Sequence, residues 1–135
     1  MHNVSAPSKT EIAEQLFDAF NARDLDTALS LLAPEIVFET VSGAVLNDGE
    51  PYRGKDGMRR YFADVQENWR ELTVDPVQLR AAGDAVVALG HVSGSSAAGS
   101  IESAPTTWVF KFDHGLVVHI QIFSDERLAR RALGL

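Results

Sequence analysis

The spacing of apolar residues changes once along this chain, near Trp69, and that change limits what the chain can fold into. Before it, apolar residues recur at helical spacing. After it they alternate, as strands require. Ile12, Leu16 and Phe20 fall at i, i+4 and i+8, with Ala13, Phe17 and Ala19 widening the stripe. Ser8-x-x-Glu11 precedes them as a capping box. Asn21-Ala22-Arg23-Asp24 breaks this helix, and Asp24 caps a short second one carrying Leu25, Ala28, Leu29 and Leu32, which Pro34 stops. Ile36 to Val41 reads as a strand, with Ile36, Phe38 and Thr40 on one face and Val37 and Glu39 on the other. Val45-Leu46 adds a ribbon or flap. Gly54 frees the chain to turn, and Asp56 caps a third helix whose apolar face carries Met58, Tyr61, Phe62, Val65 and Trp69.

Beyond Trp69 the pattern predicts an antiparallel meander. Leu72 to Ala81 is one strand, with Pro76 marking an edge or a bulge. Gly83-Asp84 turns it into Ala85 to Ser93. The small-residue stretch GSSAAGSIESA connects to Thr106 to Phe112, and Asp113-His114-Gly115 is a tight turn into Leu116 to Phe123. Ser124 or Asp125 then caps a terminal helix. Helices laid across one face of such a sheet give an α+β fold.

A chain of 135 residues suits one domain, with Met1 to Pro7 as a loose tail. The net charge of −7 repels a phosphate backbone, and the arginines at 59–60 and 127–131 lie among acids, so nucleic acid is not an expected partner. With no cysteine there is no disulfide, thiolate metal site or cysteine nucleophile. No leader-like or membrane-length apolar run is present, so the expectation is a soluble cytoplasmic protein without a membrane partner. The histidines at 2, 91, 114 and 119 lack metal-ligand spacing, and GSSAAGS precedes a strand rather than a helix, which is wrong for a phosphate loop. Neither a metal nor an organic cofactor is expected.

FNARDLDTALSLLAPEIVFE, YRGKDGMRRYF and HGLVVHIQIFSDERLARRALGL, in that order and spacing, resemble the nuclear transport factor 2-like superfamily. The SnoaL-like and ketosteroid-isomerase-like group is the nearest part of it. The resemblance covers about Glu11 to Leu135. It implies a cone-shaped, cystatin-like α+β barrel. Its curved antiparallel sheet wraps a long N-terminal helix, three or four helices complete it, and an apolar pocket lies between. It also implies a homodimer through the outer sheet face and a small hydrophobic molecule as ligand. Activities in the family range from isomerases, cyclases and hydrolases to binding without catalysis, so fold alone does not choose among them.

The isomerase works with an aspartate base beside a tyrosine and a protonated aspartate. On this chain the resemblance aligns the tyrosine with Leu16, the base with Thr40 and the protonated acid near Trp108. None of those groups is kept, so steroid isomerisation by that route is not expected. The histidine and acid that cyclase-like members carry on the last strand align with Ile120 and Ile122. A one-residue shift in register would turn His119 and Gln121 inward instead.

The remaining proton-transfer candidate is His91, on a face with Val87, Leu89 and Ser93 that the family alignment points into the pocket. The alternative is a histidine tied to a backbone carbonyl. The expected substrate-binding wall comprises Leu16, Phe20, Thr40, Tyr61, Val65, Trp69, Trp108, Phe110, Ile120 and Ile122. The same aromatics at the same spacing also suit ordinary core. Tyr61 stands out because a buried hydroxyl needs a partner. Tyr52 gates the rim or only shapes the turn.

Overall fold

The computed structural model describes residues 8–40, 50–124 and 126–133. The expected tail, the Val45-Leu46 flap and the Asp125 cap lie outside them. Helix α1 (Lys9–Asn21) opens with the capping box, since Ser8 Oγ accepts from the Glu11 N–H and the Glu11 carboxylate accepts from the Ser8 N–H. Its buried face is the stripe read from the sequence, Ile12, Leu16, Phe17 and Phe20 included. Asp24 caps α2 (Leu25–Ser30) by accepting from Thr27. Helix α2 ends before Pro34, which lies inside β1 (Leu32–Thr40) where the pairing with its neighbour is irregular. The proline is therefore absorbed by a break in the ladder rather than ending the helix.

A two-residue β2 (Tyr52–Arg53) leads into α3 (Gly54–Asn68). Asp56 does not cap it. The helix starts three residues earlier than such a cap would place it, its N-cap is Arg53 without a side-chain bond, and Asp56 pairs with Arg59 inside the first turn. The meander follows as β3 (Trp69–Ala82), β4 (Ala85–Ser96), β5 (Gly99–Asp113) and β6 (Leu116–Phe123), and α4 (Glu126–Ala132) closes the described chain. The GSSAAGSIESA stretch is not a connector. It is the distal part of the β4–β5 hairpin, with Ser96 paired to Gly99 and Gly94 to Ile101. Small residues can pair through their backbones alone, so their poor side-chain pattern hid the strands.

The six strands form one sheet in the order β2-β1-β6-β5-β4-β3. Every neighbouring pair is antiparallel except β1 with β6, which corrects the expectation of a wholly antiparallel sheet. The first long strand is thus hydrogen-bonded to the last. On the outer edge, Pro76 sits at a register shift in β3, as its missing N–H suggests. Opposite it, Gly90 approaches so closely that a Cβ would overlap the Asp75 carbonyl oxygen and lie 2.8 Å from the Pro76 Cα. The side chain of Asn21, at the end of α1, ties that edge down. It donates to the Val74 carbonyl at 2.8 Å and accepts from the Val74 N–H at 2.9 Å.

Helix α1 packs on β3 and β4, α3 on β1, β2 and β3, and α4 on β5 and β6. Helix α4 takes the opposite sheet face, where Ala129 meets Val109 and Phe123. The main core lies between α1, α2, α3 and the concave face, and it contains Phe17, Phe38, Tyr61, Trp108 and Phe110. No helix among the described residues is long and apolar enough to cross a membrane.

Candidate functional site

Among the described residues, two chambers lie between the concave sheet face and the helices. The inner one, about 60 Å³, is walled by Leu16, Phe17 and Phe20 of α1, Ala28 of α2, and Met58, Tyr61 and Phe62 of α3. Phe38, Val74, Trp108, Phe110 and Ile120 close it from the sheet. The larger one, about 410 Å³, lies toward the distal hairpin. Its walls are Tyr61 and Val65 of α3, Trp69, Leu72 and Val74 of β3, Val92 of β4 and Ile101 to Trp108 of β5, except 102, 103 and Thr107. Thr40, Ile122, Phe123 and Ser124 complete it. Tyr61, Val74 and Trp108 line both chambers and stand where the two adjoin.

Strand alternation decides which side chains reach these spaces. On β5, Trp108 and Phe110 point inward while Thr107 and Val109 point outward. Through the ladder, Val86, Ala88, Gly90 and Val92 of β4 pair with Phe110, Trp108, Thr106 and Ala104 and so share the inner face. His91 pairs with Pro105 and Asp75 and lies on the opposite face with Val87 and Leu89. It lines neither chamber. The expectation that His91 faces the pocket is therefore corrected, and with it the role of proton-transfer group. The error has a physical source: both faces of AVVALGHV are apolar, so period two alone does not say which one is inside. The inner face carries the smaller side chains, and Val86 and Ala88 on it belong to the core that α1 covers.

The ten residues expected in the wall all line one chamber or the other. Leu16, Phe20, Phe110 and Ile120 border the inner chamber, Thr40, Val65, Trp69 and Ile122 the larger, and Tyr61 and Trp108 both. Sequence reading missed Val74 and Leu72, although they share the inward parity of β3. It also missed Thr106, and with it Ile101 and Ala104, which lie in the small-residue stretch GSSAAGSIESA. Ile120 and Ile122 point inward, so His119 and Gln121 point outward. There His119 Nε2 meets Glu39 Oε2 at 2.6 Å, a pair that joins β6 to β1 across the outer face.

The aromatic rings hold one another in place. Phe17 meets Trp108 edge-on at 4.9 Å and Phe110 at 5.4 Å. Tyr61 lies 4.4 Å from Phe38, 5.7 Å from Phe20 and 5.3 Å from Tyr52, centroid to centroid. Contacts of this kind are each worth about 0.5–1.5 kcal/mol beyond burial. Tyr52 lines neither chamber. It is buried behind Tyr61 and donates its hydroxyl to Asp64 at 2.7 Å, so it supports the wall rather than gating the rim. Burial, then that hydrogen bond and the Asp64 charge, push its phenol up to about 12.

The polar inventory of the larger chamber is short. Tyr61 is buried, and burial pushes its phenol up, with no hydrogen bond to a described residue contributing. Thr40 Oγ1 is buried without a hydrogen-bond partner. The Thr106 hydroxyl donates to the Ala104 carbonyl. Apart from Tyr61, no ionisable side chain among the described residues lines either chamber.

Similar folds are found among solved structures. An NTF2-like protein of unknown function from Burkholderia pseudomallei superposes with a TM-score of 0.76 at 22% identity, over 90% of this chain and 94% of that one. TerC, co-crystallised with polyporic acid, gives 0.76 at 18% identity, over 93% and 98%. A putative polyketide cyclase from Sinorhizobium meliloti gives 0.66 at 21% identity, over 82% and 92%. A search of curated proteins found no match. The SnoaL-like domain family matches residues 13–120, most of the chain and every element from α1 to the middle of β6. The curved sheet, the helices across its concave face and this match together make the chain a member of the SnoaL-like domain family.

Proposed function

We propose that this SnoaL-like chain binds a small, largely apolar molecule in the larger chamber. The observation that carries the reading is the chamber itself: about 410 Å³, walled by aromatic and aliphatic side chains with two hydroxyls that have no described partner. That volume is at the lower end of small-molecule sites. Polyketide-like and other aromatic compounds fit such walls, in keeping with the putative polyketide cyclase and the polyporic-acid complex among the similar folds.

Binding without catalysis is favoured over an isomerase, cyclase or hydrolase. Proton transfer needs a group that titrates near the working pH. The only ionisable group in the described walls is a phenol that burial pushes away from neutrality. Organic extracts of the purified protein, analysed by mass spectrometry, should contain a compound that Ala104→Phe, which fills the larger chamber, does not retain. Retention of the same compound by that variant overturns the reading. So does the combination of an empty extract with no thermal stabilisation by a panel of apolar ligands. Turnover of the bound compound would overturn the preference for binding over catalysis.

A further inference from the structure

We propose that the ligand is uncharged and carries a hydrogen-bond-accepting oxygen, such as a ketone, which the Tyr61 and Thr40 hydroxyls recognise. The inference rests on the binding reading above and adds the chemistry of what is bound. The larger chamber has no carboxylate, imidazole, ammonium or guanidinium among its described walls. A carboxylate or ammonium entering it would lose its water and gain no counter-charge, which is strongly unfavourable. A pure hydrocarbon would leave both hydroxyls without partners.

The two hydroxyls come to this wall in different ways. Tyr61 projects from α3 into the shared wall of the chambers, held by rings on several sides. Its phenol stays protonated far above neutral pH because burial opposes the charged form, so it acts as a donor. Thr40 is at the end of β1 on the concave face. Its Oγ1 is buried and has no partner, while the residue still lines the chamber. On a β-branched side chain, one staggered step about χ1 exchanges the positions of the hydroxyl and its neighbours. Such a step can bring Oγ1 to the chamber wall when an acceptor is present. An unpaired hydroxyl makes that rotation easy, because it breaks no existing hydrogen bond.

The test uses three probes of nearly one shape: 2-acetylnaphthalene, a neutral ketone; 2-isopropylnaphthalene, with no oxygen; and 2-naphthoate, a carboxylate. Affinities are measured by tryptophan fluorescence and calorimetry on the full chain. The ketone should bind about 5- to 20-fold more tightly than the hydrocarbon, as one or two neutral hydrogen bonds allow. The carboxylate should bind at least about tenfold more weakly than the ketone. Thr40→Val with Tyr61→Phe should remove the ketone's advantage while leaving the hydrocarbon's affinity within about twofold. Each single variant should remove part of it. A carboxylate that equals the ketone, or a ketone advantage that survives both substitutions, overturns this inference and leaves apolar binding intact. Failure of all three probes to bind overturns this inference, and together with an empty extract it overturns the binding reading as well.

Discussion

Replacing Thr40 by Val should make the ligand-free protein more stable. Thr40 Oγ1 is buried and unpaired, and a buried polar group without a partner costs about 1–3 kcal/mol. Valine keeps the branched shape and the strand preference and removes only that penalty. Taking the low end, the gain is about 1 kcal/mol. Unfolding entropy near 60 °C is about 2.1 cal/mol/K per residue, so 135 residues give about 0.28 kcal/mol/K. The expected rise in Tm is therefore about 3–4 °C. The assay is far-UV circular dichroism on protein stripped of bound compounds, with a urea midpoint that rises while the m-value stays fixed. Thr40→Ser serves as the control: it keeps the hydroxyl, loses the methyl and should lower Tm. An unchanged or lower Tm for Thr40→Val would show that the hydroxyl is satisfied in solution. That result would remove the reason for treating it as held open for a ligand.

Other outcomes follow from the same contacts. Gly90→Ala should destabilise the fold by about 2–3 kcal/mol in urea unfolding, because its Cβ would overlap the Asp75 carbonyl. Since Gly-to-Ala usually helps a strand, a neutral result would deny the close approach. Asn21→Ala should cost about 1–2 kcal/mol and speed amide exchange at Val74, whose N–H and C=O both lose their partner on the edge strand. The chain has two tyrosines, and both phenols are pushed up, Tyr52 to about 12. The folded state then holds these protons more tightly than the unfolded chain. The associated stability is complete below about pH 10, the unfolded value, and is lost as pH climbs through about 12. Phenolate absorbance should appear only with unfolding, and half-titration near pH 10 with the fold intact would refute the burial of one ring.

The helical half of the chain was legible because its cues are local. The Ser8 box, the Asp24 cap and the α1 and α3 stripes depend on residues a turn apart. Trp108 and Phe110 were legible too, since Thr107, Val109 and Lys111 between them differ in size and polarity. His91 was misplaced because apolar residues occupy both parities around it, and only pairing with Trp108 and Phe110 fixes which is inside. Ile101 and Ala104 were lost within a run of small residues whose strand character comes from the opposite strand. The parallel pairing of β1 with β6 leaves no mark on either strand alone.

That pairing carries a consequence for synthesis. Glu39 and His119, bonded across it, are 80 positions apart. At about 5–20 residues per second, β6 is made about 4–16 s after β1. Throughout that interval Ile36 and Phe38 have only the two-residue β2 for a neighbour on the sheet, and their future partner has not been translated. The nascent chain therefore presents an unfinished sticky edge on the ribosome. Until β6 emerges, the cover that the chain itself can supply for β1 is helix α3, which is made long before β6 and packs on that strand.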